Sequence, residues 1–290
     1  MDLRRIVLLG HSGFVGRHLA AHLSRRHPAL ELIALSVGEL DLTRAESVER
    51  LTALFTADAG VGVVMTAGIK RQWGDSLEAF SGNLDMAANV CRALAARPVS
   101  RFLFFSSAAV YGESNHNQAI DEDTAISPSS YYGIAKFASE RLLRQSLRRG
   151  LVALRPPLIY GPGDSSKSYG PAGFIRAALD GEPIALWGDG EEKREFIYVG
   201  DVAELSARLL FSDFEGPLNV ASGRQYTFRG AAEIAARLVC GSAAIASRPR
   251  SKAKVDHGFH NYRLAGLFPD FRFHSLEDGM RRTLEAERLR

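Results

Sequence analysis

Apolar residues gather into five short runs at near-regular intervals, 5–9, 31–35, 61–66, 101–106 and 151–155, each of strand length. Between them, at about 14–26, 45–57, 76–97 and 129–149, apolar positions recur every three or four residues, the spacing of one helix face. Strands and helices therefore alternate through the first half of the chain. That rhythm predicts an α/β fold, a doubly wound parallel sheet (Rossmann type) with helices on both faces and ligands at the carboxyl ends of the strands. The residues that follow the runs, Gly10 onward, Ala67-Gly68, Ser106-Ser107 and Arg155-Pro156, are then expected to converge on one rim.

After Arg155 the rhythm loosens. Pro156, Pro157, Pro162, Pro171 and Pro183, with many glycines, mark long loops, and helical patterns resume near 173–180, 201–212, 227–239 and 275–287. This half is expected to form a smaller lobe that interleaves with the sheet. The predicted division is 1–155 for the sheet domain, with 195–221 returning to it, and 156–194 with 222–290 for the second lobe.

Composition narrows the class only slightly. With 46% hydrophobic and 24% charged residues, the 290-residue chain reads as an ordinary globular protein. Its net charge of +3 suits anionic small molecules and is too weak and dispersed to indicate nucleic acid. Arg281, Arg282 and Arg288 lie among glutamates at helical spacing and read as a solvated face. Cys91 and Cys240 are expected as buried free thiols, and no metal is expected. No apolar stretch reaches membrane-spanning length, so a cytoplasmic protein away from membranes is the expectation.

Two motifs carry chemistry. The first is Gly10-His11-Ser12-Gly13-Phe14-Val15-Gly16, which sits between the first strand and the first helix. In that context a glycine spacing implies dinucleotide binding: Gly10 allows a tight turn, Gly13 lets backbone approach a pyrophosphate, and Gly16 lets helix pack on strand. The helix amino terminus then offers N–H groups and partial positive charge to the phosphates, with Ser12, Phe14 and Val15 as further contacts. The second is Tyr132-Gly133-Ile134-Ala135-Lys136, in a segment that reads as helix. One turn separates Tyr132 from Lys136, so both share a face. An ammonium there is expected to lower the phenol pKa and make Tyr132 an acid/base usable near neutral pH at a hydroxyl or carbonyl.

Taken together these residues resemble the extended branch of the short-chain dehydrogenase/reductase family, the nucleotide-sugar epimerases, dehydratases and ketoreductases. The resemblance runs through nearly the whole chain. Beyond the glycine turn it rests on Asp41-Leu42-Thr43, Ala67-Gly68-Ile69-Lys70, Asn83, Phe105-Ser106-Ser107-Ala108-Ala109-Val110-Tyr111-Gly112, Arg155-Pro156 with Tyr160-Gly161-Pro162-Gly163, and the stretch from Arg194 to Asp201. It implies a catalytic set of Ser107, Tyr132 and Lys136. It implies dinucleotide contacts from Ser36, Asp41, Leu42, Ala67, Gly68, Lys70, Asn83, Tyr132, Lys136 and Arg155, besides the glycine turn. Substrate contacts would come from Ser107, Ala108 and Arg194, with Arg248 or Arg250 as a second phosphate contact. The long helices at 76–97 and 129–149 pair two subunits in relatives, so a homodimer is implied.

Departures from the family pattern bear on the reaction. Ala108-Ala109 stands where the 4,6-dehydratases carry Asp-Glu, which disfavours dehydration. Leu158 replaces a substrate-contacting asparagine of many relatives, and Gly200 replaces the first of two aspartates, a change expected to concern only a loop. At the end of the second strand Ser36 supplies neither the acid that would bind a ribose hydroxyl nor an arginine for a 2′-phosphate. The short link from Ser36 to Asp41 resembles the 4-ketoreductases, which favours NADP over NAD. The expected function is an NAD(P)-dependent oxidoreductase acting on a nucleotide-diphosphate sugar, leaning to a 4-keto-sugar reductase. The alternatives are a 4-epimerase with tightly bound NAD and a non-catalytic dinucleotide-binding protein.

Overall fold

A computed structural model of the chain describes residues 3–56, 60–164, 169–241, 243–250 and 253–289. They divide into two compact units. The first comprises Met1–Glu113, Ala125–Pro156 and Val202–Leu218, and the second Ser114–Thr124, Pro157–Asp201 and Asn219–Arg290.

The apolar runs of the first unit become strands β1 (Arg5–Leu9), β2 (Glu31–Leu35), β3 (Val61–Met65), β4 (Arg101–Phe105) and β5 (Leu151–Arg155), joined by β6 (Gly216–Asn219). Their order in the sheet is β2-β1-β3-β4-β5-β6. β1 lies parallel to both β2 and β3, with Leu9 opposite Leu35 on one side and Met65 on the other. Chain order therefore reverses at β1, and the crevice beyond Leu9 and Met65 is the switch point where such sheets bind ligands. The helices are α1 (Phe14–Arg26), α2 (Ser47–Leu54), α3 (Leu77–Ala96) and α4 (Tyr131–Ser146). The last residue of the expected 45–57 helix lies outside the described residues.

Burial on both faces explains the unbroken apolar runs of β1, β3, β4 and β5, while the edge strand β2 is only half-buried. Val7, Leu9, Val63, Met65, Phe102 and Phe104 pack with Leu51, Met86, Val90, Leu94 and Leu143 of α2–α4. The opposite face is closed near Gly62, where a side chain would meet Ile6 and Leu210 of the helix Val199–Leu210. Arg101, fully buried at the start of β4, donates to the Leu209 carbonyl (3.0 and 2.6 Å) and so caps that helix end.

In the second unit Tyr160, Phe174, Ile175, Ile184, Leu186, Phe196, Phe228 and Met280 form a separate apolar core. The strand Leu158–Tyr160 runs parallel to Phe196–Tyr198. Glu195, with no exposed surface, accepts hydrogen bonds from the backbone N–H groups of Ser222, Gly223 and Phe259 (2.9, 3.1 and 3.0 Å). Burial pushes its pKa up while those donors hold it down. These contacts tie 195–201 to the second unit, whereas the sequence returned 195–221 to the sheet. The stretch 114–124, read from sequence as part of the sheet domain, also falls in the second unit. There Asn117–Ile120 pairs with His257–Phe259. Gly200 is helical rather than looped, and a Cβ on it would lie 2.5 Å from the Tyr198 ring.

Candidate active site

The glycine turn is shaped by backbone contact. Gly10 has φ +93°, a region that strongly favours glycine, and a Cβ there would sit 2.6 Å from the Ala67 nitrogen. Its N–H and that of His11 donate to the Leu35 carbonyl (2.7 and 3.2 Å), which pins the turn to the end of β2. A Cβ on Gly16 would lie 2.2 Å from the Gly10 carbonyl oxygen, so the first turn of α1 rests directly on the loop. α1 starts after Gly13 with no side chain capping its first N–H groups. Ser12 and Gly13 are exposed, Val15 is half-buried, and Phe14 is buried with the Lys70 ammonium 5.6 Å from its ring centroid. A side-chain-free cradle, uncapped N–H donors and a nearby cation fit a dinucleotide's pyrophosphate.

The end of β2 departs from the sequence reading. Ser36 donates its backbone N–H to Glu39 Oε2 (2.7 Å), and its hydroxyl donates to the same oxygen. These bonds hold the Glu39 carboxyl below its usual pKa, so the strand end presents an anion after all. Glu39 escaped notice because it lies three residues beyond Ser36; the Ser-x-x-Glu spacing was the available signal. Asp41, expected at the adenine, instead closes a turn: Thr43 donates its N–H and hydroxyl to Oδ1 (3.0 and 2.6 Å), and Arg44 lies 3.4 Å from Oδ2. Leu42 is buried, its carbonyl accepting from the Asn89 amide at 2.9 Å.

Beyond β3, Asn83 is also committed locally. Its Oδ1 accepts from Ile69 N–H (2.9 Å), and its Nδ2 donates to the carbonyls of Ile69 (3.0 Å) and Ala79 (2.9 Å). Asn83 therefore shapes the 67–70 loop. Ala67 donates its N–H to the Leu9 carbonyl (3.0 Å), and Gly68 faces the ammonium of Lys136, 3.1 Å from where its Cβ would be.

Ser107, Tyr132 and Lys136 are brought together by β4 and α4. Ser107 begins the tight helical turn Ala108–Tyr111, and its hydroxyl oxygen accepts from Ala109 N–H at 3.1 Å. That leaves its proton to donate, and its partner is the Tyr132 phenol oxygen. α4 is started by Ser130, whose hydroxyl accepts from Gly133 N–H (3.0 Å), while Asp75 Oδ1 accepts from Tyr132 N–H (3.0 Å). Lys136 is buried and donates to the Phe105 carbonyl at 2.7 Å, with its ammonium 5.7 Å from the Tyr132 ring centroid.

Electrostatics here oppose the sequence reading. Burial pushes the Tyr132 pKa up to about 12, with Glu113 adding to the rise and the Ser107 hydrogen bond working against it. Burial also lowers Lys136 to about 8. The phenol therefore rests above its ordinary pKa rather than below it, because desolvation penalises its charged form. At pH 7 the pair rests as neutral phenol and ammonium.

Arg155 does not face a ligand. Its guanidinium is buried against Glu140, with Nε and Nη2 donating to the two carboxylate oxygens (3.0 and 2.6 Å), while Nη1 donates to the Tyr111 hydroxyl (2.9 Å). This bidentate pair engages the guanidinium that the resemblance assigned to the dinucleotide. Arg155→Met would leave Glu140 buried without its cation. The expected cost is about 3–5 kcal/mol, read as a lowered denaturant midpoint at constant slope.

In the second unit Arg194 donates to Glu192 Oε1 (2.6 Å) and to the Val255 carbonyl. Arg250 bonds the other oxygen of Glu192. Arg248 is exposed, its guanidinium carbon 4.7 Å from the Trp187 ring centroid. Glu192 thus brings together Arg194 and Arg250, and Arg248 stands apart from them on the indole.

A family model described as "NAD dependent epimerase/dehydratase family" matches residues 6–221. The chain belongs to the NAD-dependent epimerase/dehydratase family. Members similar to it include GDP-L-fucose synthase of Sinorhizobium fredii, 28% identical over 82% of this chain and 81% of that protein. UDP-N-acetyl-alpha-D-glucosaminuronate decarboxylase of Bacillus cytotoxicus is 26% identical over 97% of both chains. Among solved structures, UDP-glucose 4-epimerase of Thermus thermophilus in complex with NAD superposes with a TM-score of 0.82, at 27% identity, over 98% of this chain and 99% of that one. This epimerase/dehydratase-family chain is accordingly an enzyme of the NAD-dependent nucleotide-sugar type. Among the described residues no helix is long and apolar enough to cross a membrane.

Proposed function

We propose that the chain is a nucleotide-sugar 4-epimerase that retains NAD. The observation that carries this reading is Glu39. An anion bonded to Ser36 at the carboxyl end of β2 suits the two free hydroxyls of an NAD ribose and repels a 2′-phosphate. We prefer this to the NADP expected from Ser36 and the short link to Asp41. The NAD complex of the Thermus thermophilus 4-epimerase, which aligns along nearly the whole chain, supports the same choice. Ala108 and Ala109 offer no carboxyl to expel water, which argues against dehydration.

The glycine turn, the amino terminus of α1, Lys70 and Glu39 would hold the dinucleotide, and Lys136 would grip its nicotinamide ribose. Bound there, the nicotinamide supplies a reversible hydride acceptor. Inversion at C4 requires that the hydride come back to the opposite face of the carbon, while Tyr132 would take the proton of the sugar C4 hydroxyl and later return it to that same oxygen. Ser107 donates to the same oxygen while negative charge develops on it. The neutral phenol seen here is the proton-donating form. Its conversion to phenolate is favoured by the Ser107 hydrogen bond and by a charged Lys136. Arg194, with Arg250 beside it on Glu192, is the proposed diphosphate contact, and the exposed Arg248 is no longer preferred.

A second reading is the 4-keto-sugar reductase, favoured by the similarity to GDP-L-fucose synthase. Calorimetric screening of UDP-, GDP-, dTDP- and CDP-sugars with each dinucleotide finds the substrate, and turnover separates the two. The epimerase releases NAD on denaturation and interconverts C4 epimers without net oxidation. Stoichiometric consumption of NADPH would establish the reductase instead. Glu39→Gln is expected to shift the NAD-to-NADP affinity ratio roughly tenfold toward NADP by calorimetry. An unchanged ratio would remove Glu39 from the argument.

A further inference from the structure

Lys136 has an unusual setting for a cation that must stay charged. It is buried, and among the described residues its ammonium has one hydrogen-bond acceptor, the Phe105 carbonyl at 2.7 Å, and no carboxylate in contact. Around it stand the rings of Phe104 (5.0 Å) and Tyr132 (5.7 Å) and the Cα of Gly68. Lys70, from the loop after β3, adds a like charge nearby. Nothing in that list stabilises an ammonium beyond one carbonyl and the ring faces.

One helical turn further along α4 lies Glu140, also buried. The four-residue spacing puts Lys136 and Glu140 on the same face. Glu140 accepts from three groups: the Ser106 hydroxyl and the Nε and Nη2 of Arg155, which also holds the Tyr111 hydroxyl. Ser106 directly follows Phe105, whose carbonyl holds the ammonium. The carboxylate thus anchors the end of β4 between the ammonium's acceptor and catalytic Ser107. A purely structural Glu–Arg pair on this scale gains little over apolar packing. Its location, adjoining the lysine and the serine of the acid–base set, gives it a further use.

We propose that Glu140 is a positioning residue for the reaction: it fixes the strand end that binds the Lys136 ammonium and supplies the negative charge that keeps that ammonium protonated within the protein. The inference rests on the reading of Tyr132 and Lys136 as the acid–base pair. Burial alone drives Lys136 toward its neutral form and Lys70 pushes the same way. Glu140 is the opposing charge. A neutral Lys136 would withdraw the positive charge that favours the phenolate of Tyr132, so the effect reaches the proton-transfer step without Glu140 touching substrate.

The chain contains only six lysines, which makes a direct titration practical. In protein carrying 13C-labelled lysine, the Lys136 resonance is assigned by its loss in Lys136→Met, and its midpoint is followed by NMR with no substrate present. The wild type is expected to titrate near the value of about 8 set by its surroundings. Glu140→Gln is expected to lower the midpoint by about one pH unit or more, a roughly tenfold rise in the acid constant. Should Glu140→Gln fail to fold, Glu140→Gln combined with Arg155→Met removes both buried charges together and is expected to show a smaller fall, because the cation that is lost partly opposes the carboxylate at Lys136. A Lys136 midpoint unchanged in whichever of these variants folds overturns the proposal and leaves Glu140 as scaffold. The titration also stands apart from the functional reading. If no nucleotide sugar is turned over but the midpoint falls, that reading fails and Glu140 still sets the charge of Lys136.

Discussion

Tyr132→Phe is expected to reduce turnover of the nucleotide sugar by roughly 10²–10⁴-fold, the range for losing one positioned general acid–base. Stability should change by no more than about 1 kcal/mol, since a single hydrogen bond, that from Ser107, is lost. Wild-type turnover is expected to decline above about pH 8, as Lys136 gives up its proton. The sign follows from the direction of the shift: burial lowers the lysine, so its charge is present below that pH and lost above it. Steady-state rates across pH 6–10 with the substrate found by screening measure both effects, on the order of one decade per pH unit once the limb is linear. Turnover of Tyr132→Phe at the wild-type rate would take the phenol out of the mechanism.

The second large effect lies at Gly16. A valine there must place its Cβ 2.2 Å from the Gly10 carbonyl oxygen, 2.8 Å from the His11 Cα and 2.9 Å from the Gly10 carbonyl carbon. All three are backbone atoms of the turn that would hold the pyrophosphate, so the turn itself has to move. A distortion costing about 3 kcal/mol weakens dinucleotide binding roughly 100-fold. Calorimetry with NAD is expected to show at least that loss. Gly266→Ala provides the contrast, since a Cβ there meets nothing within 4 Å, and it is expected to bind normally.

What could be read from sequence follows a physical line. Strands β3–β5 were legible because every position in them is buried, β1 because all but its first residue is, and the edge strand β2 because Leu32–Leu35 is still an apolar run. α1 was legible because its apolar stripe begins after a glycine turn. β6 was hidden: Gly216-Pro217-Leu218-Asn219 is short and carries a proline, and only the sheet edge makes it a strand. The acid–base set was visible as a pattern, but its electrostatics were not. Spacing announces that Tyr132 and Lys136 share a face, yet says nothing of the desolvation that outweighs their mutual attraction. The protein partners of Arg155 and Asn83 were hidden for a related reason. Side chains with several donors or acceptors look like ligand contacts in a sequence, and only the fold shows that Glu140 and the 67–70 loop already use them. Glu39 failed in the opposite sense, because its carboxylate gains meaning only when the chain folds back on Ser36.

Gly133, between Tyr132 and Lys136, has a consequence of its own. A Cβ there would stand 2.8 Å from the Ala109 carbonyl oxygen, so α4 and the turn after Ser107 meet main chain to main chain. Ile134, its neighbour, is exposed and answers to no such constraint. The spacing of the serine and tyrosine hydroxyls is therefore set by a steric stop rather than by adjustable side chains. A library that varies the residues around this turn would do well to spare this glycine, since any side chain on it has to displace main chain.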